Sequence, residues 1–506
     1  MALSATHIIG IVLTVGLLLV IGILSGRRVK DARSFAIGGR GNSWMVCGII
    51  MGTLVGGQST IGTAQMAFCY GLSAWWFTIG AALGAALLAL VYAIPLRRSG
   101  CVTLTEIIAR EYGYTAEGIG SLLCMMGIFI SIVSQVLASS AMMTSLGNIP
   151  TLWAAVLSAA LIALFVFFGG IRSAGLGGLL KVALLYISSI AAAVIVWRLT
   201  GGIGNTYSAL EEVCETPAVA TLNDLGSADD IHQRYANLVG RGLLKDVGSG
   251  LSLALGVLAT QTYAQGVWAA RSYHQARRGV IGAALLVPVI GAACTLVGLY
   301  MRGHYITAEE HQALLSAGQT LPEGIGIIKN TAEVFPRFVL DCCPDWVGGI
   351  VIGTLFVTVL GGGSGLTLGA VTILVRNVFS HIRKKDGSYL DESKTLYRAS
   401  IVVMVVLAFV VSQLSHRTLI NDLGFLSLGL RATAILLPIT AALFFPRRYE
   451  RRSMTIAMIA GCAVMFIANS LSLPADPIYW GMGTEVLIVA IGKTLKSKGF
   501  STEKKK

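Results

Sequence analysis

Thirteen apolar runs, each near the roughly 20-residue length of a membrane-spanning helix, constrain this sequence more than any other feature. They are centred near positions 16, 57, 83, 132, 160, 186, 258, 290, 360, 405, 432, 462 and 485. Lipid offers no partner to an unpaired backbone group, so such a chain must be built from helices or a closed barrel. The runs do not alternate polar with apolar residues, which excludes the barrel. Composition agrees: 55% of residues are hydrophobic, 12% are charged and the mean hydropathy is +0.75. Soluble domains carry about twice that share of charge. The expected fold is an all-α integral membrane protein with one polytopic domain over 1–506.

The charges orient the chain. The first run, His7 to Ser25, is followed rather than preceded by Arg27, Arg28 and Lys30. That order predicts a retained helix with its N-terminus outside, not a cleaved leader. The odd-to-even connections then fall inside. They carry Arg97, Arg98 and Arg110, then Arg271, Arg277 and Arg278, then a basic polar loop at 380–396, then Arg447, Arg448, Arg451 and Arg452. A basic cytoplasmic tail, 496–506, closes the chain. The opposite connections, 200–246 and 302–345, are long and acidic, with Glu211, Glu212, Asp229, Asp230, Glu309 and Glu310. This is a positive-inside pattern. It predicts a multi-pass protein of the plasma or inner membrane, with extracellular loops forming short surface helices or a lid. The net charge of +13 is thereby a matter of topology. Membrane lipid is the expected partner, and no nucleic acid is implied. The nine cysteines show no CxxC pair and no Cys/His metal spacing, so no metal beyond a possible sodium ion and no cofactor is expected.

Glycine interrupts several runs. The second contains GTLVGGQSTIG, the ninth LGGGSGLTLG from Leu360 to Gly369, and the eleventh DLGFLSLGLR from Asp422 to Arg431. Small residues also mark close helix packing, but breaks at separated positions are a feature of secondary transporters. The sixth run carries Lys181 about two turns in. A lysine there costs from roughly 3 to more than 10 kcal/mol, unless it snorkels to the interface or finds a partner.

Several motifs in order resemble the sodium:solute symporter family. Asp31-Ala-Arg-Ser-Phe-Ala-Ile-Gly-Gly-Arg-Gly-Asn-Ser-Trp44 is similar to the family's entry signature before the first core helix. Phe68-Cys-Tyr-Gly-Leu-Ser-Ala-Trp75, the Gly169-Gly170 junction, Gln265-Gly-Val-Trp-Ala-Ala-Arg-Ser272, Ala276-Arg-Arg-Gly279 and Pro438 also match in order. The resemblance spans roughly residues 5–495. It implies a LeuT-like fold of ten core helices in two inverted repeats, at 44–199 and 247–446, with the second and seventh runs as the broken pair. It implies symport of a small organic solute with sodium.

The departures fall on the sodium site. The family's backbone carbonyls map near Gly52 and Val55, but its hydroxyl pair maps onto Gly361 and Gly362, which have no side-chain oxygen. Thr358 and Ser364 are the nearest substitutes. The family's Asp in the fifth core helix maps near Gly178, and its following Gln onto Lys181. An ammonium carries the charge of sodium and donates to carbonyls, so Lys181 could occupy the cation site. It could also take up and release a proton. The carrier would then be proton-coupled, or an exchanger needing no ion. For the solute, Gln58, Ser59 and Thr63 on the second run and Gln261 and Tyr263 on the seventh are the expected contacts. Arg431, in the middle of the eleventh, suits a carboxylate or amino acid; its bland alternative is a pair with Asp422. Glu106 reads as interfacial, and Tyr70, Trp75 and Trp76 as an outer aromatic belt.

Other classes fit less well. No charge ring or pore repeat marks a channel. GGQSTIG and GGGSG lack the phosphate-loop lysine, and no catalytic motif survives, so the chain is not read as an enzyme. A solute-sensing receptor on the same scaffold is the alternative, but a cytoplasmic output module would be expected to follow it.

Overall fold

The computed structural model describes residues 4–26, 41–147, 149–379, 394–415 and 418–503. Residues 31–40 of the entry signature, the basic stretch 27–40, most of the 380–396 loop and Lys504 to Lys506 lie outside them, as do the side chains at Gly169, Gly170 and Arg172. Each expected centre lies in a helix or, at the second, in a break between two. Among the described residues, eight helical runs are long and apolar enough to cross a bilayer, and nine if a bent pair counts as one. Ala5–Leu17, Ser43–Leu54 and Thr151–Phe167 are shorter apolar helices. The fifth and sixth runs share one helical stretch, Thr151–Thr200.

The breaks fall where the symmetric pair was expected. Ser43–Leu54 ends at Val55, and the second segment resumes as a π turn at Gln58–Gly62 before Thr63–Tyr70. In the seventh, Leu243–Leu258 and Gln261–Ala269 meet at a bend of 45°. The ninth and eleventh segments correct the expectation. Asp345–Ile373 runs unbroken through LGGGSGLTLG, and Ile420–Arg431 is continuous α-helix. Their glycines serve packing. A Cβ at Gly362 would lie 2.9 Å from the Gly56 Cα, and Gly365 and Gly369 leave room for Thr53 and Thr262. The missing side chains let the ninth helix lie against both broken segments at backbone range, as small residues do between helices in lipid.

Around this core the ninth segment packs on the first, the fourth and Thr151–Thr200. The eleventh packs on the fourth and the seventh, and the twelfth and thirteenth on each other. The acidic connections do form surface structure, with helices Ile203–Cys214, Pro217–Leu222, Ala228–Tyr235 and Ala308–Ser316. A short parallel pair joins Tyr305–Thr307 to Gly326–Ile328. Glu310 fastens this layer to the membrane core. Its two carboxylate oxygens accept from Arg302 Nη1 and Nη2 at 2.9 and 2.7 Å, and it caps the Ala308–Ser316 helix through Thr307. It also accepts from Asn223 in the other loop. Trp75 and Trp76 sit at the same end, each donating its indole N–H to a backbone carbonyl, of Pro288 and Leu238.

Candidate functional site

A broken membrane helix exposes polar backbone groups that need partners. In the second segment Gln135 supplies one, its Oε1 accepting from the Gly57 N–H at 2.7 Å. Lys181 supplies the other. Its Nζ donates to the Gly52 carbonyl at 2.8 Å and to the Thr358 carbonyl at 3.0 Å, and the residue is only 1% exposed. The amine therefore does not snorkel. It joins the broken second segment to the ninth from a third helix. Thr151–Thr200 can approach this closely because Gly178 lies on the Gly48 carbonyl, where a Cβ would overlap it. An aspartate at the position the resemblance assigns to one has no room.

The remaining cation-site candidates offer the amine no side-chain oxygen, and of them Gly361 lies against it. A Cβ built on Gly361 would sit 3.5 Å from Lys181 Cδ and 3.6 Å from Nζ. The Thr358 and Ser364 hydroxyls turn back on their own helix, donating to Thr354 and Gly361 carbonyls. Val55 is fully buried and donates its N–H to Met51. Among the described residues no cluster of His, Cys, Asp and Glu could hold a metal ion.

The solute candidates gather round the same breaks. Gln58 Nε2 donates to Ser134 Oγ at 2.7 Å, with Ser131 Oγ at 3.4 Å. Ser59 donates to the Leu54 carbonyl and Thr63 to that of Gln58, so both hydroxyls bridge the irregular turn. Tyr263 is buried just past the bend of the seventh segment, in Gln261–Ala269. Gln261 is held by backbone at both ends of its amide, accepting from the Leu104 N–H and donating to the Val102 carbonyl.

Arg431 is 1% exposed and does not pair with Asp422. Asp422 instead accepts from Arg241 at 3.1 Å, and Arg241 also holds Asp246 at 2.6 Å. Arg431 donates from Nη1 to Thr260 Oγ1 at 2.9 Å and from Nη2 to Ser131 and Ser427 Oγ at 2.5 and 2.6 Å. It thus ties the break of the seventh segment to the fourth and eleventh. A π turn, Ala432–Leu436, follows it directly, as one follows the break of the second. Such bulges recur at functional sites.

Sequence reasoning missed Ser131, Ser134, Gln135, Thr260 and Ser427. The first three do carry a signal, since spacings of three and four put them on one face of an otherwise apolar helix. At the loop end a cavity of about 540 Å³ opens between segments, lined by Arg241, Lys245, Asp422, Phe425 and Asp476 among others. Phe425 packs on Phe77 with ring centres 5.5 Å apart.

Comparison with known proteins gives this geometry a context. The sodium:solute symporter family model matches residues 35–461. The "Uncharacterized symporter YwcA" of Bacillus subtilis is 22% identical over 464 residues, covering 90% of this chain and 84% of that protein. The human "High affinity choline transporter 1" is 23% identical over 406 residues, covering 77% of this chain and 64% of its own length. The fold is shared with a Na+-coupled sialic acid symporter at a TM-score of 0.73 and 16% identity, over 97% of both chains. Mhp1, a nucleobase-cation-symport-1 family transporter, matches at a TM-score of 0.52 and 12% identity, over 91% of this chain and 95% of its own.

Proposed function

We propose, from the premise that this chain belongs to the sodium:solute symporter family, that it carries a small organic solute with the Lys181 ammonium in place of the sodium ion. The observation that carries the reading is the pair of bonds from Nζ to Gly52 and Thr358, made beside Gly361, which offers no side-chain oxygen. A protonated amine brings the ion's charge and joins the second segment to the ninth. Loss of its proton weakens both bonds, because charge-assisted hydrogen bonds are roughly twice as strong as neutral ones. The second segment is then freer to move against the ninth, the motion that alternating access around broken helices requires. Coupling would run on the proton. No acid or base lies beside the amine among the described residues, so its environment is set by burial and by the two carbonyls.

The solute is expected between the two breaks, in reach of Gln58, Ser59, Thr63, Tyr263 and Arg431. The reading assigns the inverted repeats to 44–199 and 247–446, and the basic connections favour a cytoplasmic C-terminus. The test is thermal unfolding of the purified chain in sodium against potassium at equal ionic strength, across pH. The expected result is no sodium-specific rise, with a pH dependence that Lys181→Gln removes. A sodium-specific rise in the unaltered protein rejects the reading and leaves Lys181 as an anchor.

A further inference from the structure

We propose that Arg431 is the anchor for the carboxylate of an anionic solute, which deepens the carrier reading above by naming its substrate class. Three cations are almost wholly buried among the described residues: Lys181, Arg302 and Arg431. Arg302 has Glu310. Among the described residues Lys181 and Arg431 have no carboxylate partner, and both stand at the broken segments. The buried carboxyl of Glu485 does not supply the missing charge. It lies on the thirteenth segment against Gly461, with neither oxygen bonded and no ion pair to either cation.

The guanidinium is also incompletely bonded. Its three contacts are hydroxyls, and its Nε is buried without a partner. Hydroxyls are exchangeable ligands here, since each accepts from the guanidinium while donating elsewhere and keeps that second bond when the guanidinium lets go: Ser427 donates to the Gly127 carbonyl, and Thr260 to that of Gly256. Nε together with one Nη forms the planar fork that grips a carboxylate through two parallel bonds. The stem is fixed for this purpose, with Arg431 Cγ filling the space over Gly127. Arg431 is the twelfth residue of the 25-residue run Ile420–Phe444, which puts the fork at mid-membrane, where carriers bind their cargo. A cationic solute there would meet an unneutralised guanidinium at low dielectric and be repelled.

The test uses the full chain in detergent and reads its unfolding midpoint at constant ionic strength. The probes are potassium acetate, pyruvate, malate, glutamate and benzoate, with glucose and choline chloride as neutral and cationic controls. The expected result is a rise with at least one carboxylate and none with the controls. Apparent affinity for that carboxylate should fall at least tenfold in Arg431→Gln and less in Arg431→Lys, which keeps the charge without the fork. Stabilisation by glucose or choline alone, by no probe, or by a carboxylate equally well in Arg431→Gln overturns the proposal. The unaltered protein decides the first two outcomes even where a variant fails to fold. Repeating the panel in Lys181→Gln separates the two readings: an intact carboxylate response there leaves this inference standing whatever drives transport.

Discussion

If Lys181 occupies a cation site, the site should be convertible back to sodium by two substitutions. Removing the amine comes first. Gly52 lies in the last turn before the break, and its helical donor would be Gly56, beyond the helix end. Lys181→Gln, one atom too short, therefore leaves a buried carbonyl without its donor, at a cost of about 1–3 kcal/mol. The Thr358 carbonyl sits inside a continuous helix and loses less. The net loss should fall at the lower end, because a buried charge is removed with the bond. The second substitution supplies an oxygen. Gly361 has room for a side chain, with its Cβ 3.6 Å from the Nζ position. A serine Oγ, one bond further on, would come within about 2–3 Å of that position in the rotamer that points toward it. Gly362 has no such room, since its Cβ would press on the Gly56 Cα at 2.9 Å.

The assay is thermal unfolding during a sodium titration at fixed ionic strength. The unaltered protein and Lys181→Gln should show no sodium response. Lys181→Gln/Gly361→Ser should gain about 2.7 kcal/mol at a hundred times its dissociation constant. Lys181→Gln/Gly362→Ser should be destabilised without gaining sodium binding. A sodium response already present with Lys181 intact, or an equal one in Lys181→Gln alone, would refute the reasoning.

Three further outcomes are expected. Gly178→Ala should cost at least about 3 kcal/mol, the upper range for overpacking, because the obstacle is the Gly48 backbone carbonyl; equilibrium unfolding checks this. Gln135→Ala should cost about 1–3 kcal/mol by leaving the Gly57 N–H unbonded, and hydrogen exchange at Gly57 should rise. Glu310→Ala should cost about 3–5 kcal/mol by stranding buried Arg302. Burial alone would raise the Glu310 carboxyl, but its bonds to Arg302 and Thr307 outweigh that and hold it below 4.5. Its contribution is therefore complete above about pH 4.5 and lost as pH falls through the lower folded value. Unfolding measured from pH 6 downward should show that loss in the unaltered protein and not in Glu310→Ala.

The sequence by itself determined the class of this protein. Runs long enough to cross lipid and too apolar to stay in water allow little but helices, because every backbone group must find its partner within the chain. The break in the second segment was legible for the same reason, since GTLVGGQSTIG places glycine and polar residues where lipid would not tolerate them unpaired; the break in the seventh was expected only as its counterpart in an inverted repeat. The suspicion about Lys181 was legible too, from the cost of a charge at that depth. What the pattern could not separate was glycine that breaks a helix from glycine that lets two helices touch. LGGGSGLTLG reads the same either way, and only the neighbours at Gly56, Thr53 and Thr262 decide it.

Partners far apart in sequence were beyond reach for a related reason. Lys181 meets Gly52 and Thr358 across 129 and 177 residues, and Arg431 meets Ser131 across 300. Serine and threonine in a membrane helix satisfy themselves on their own carbonyls as readily as they bond to another helix, so Thr260 and Ser427 carried no unambiguous signal. A pair between Asp422 and Arg431 stood as the alternative because both lie on one helical run, yet Arg241 reaches Asp422 from the end of a separate loop. Local physics chose the helices; which side chains face one another across their breaks was fixed only when the helices packed.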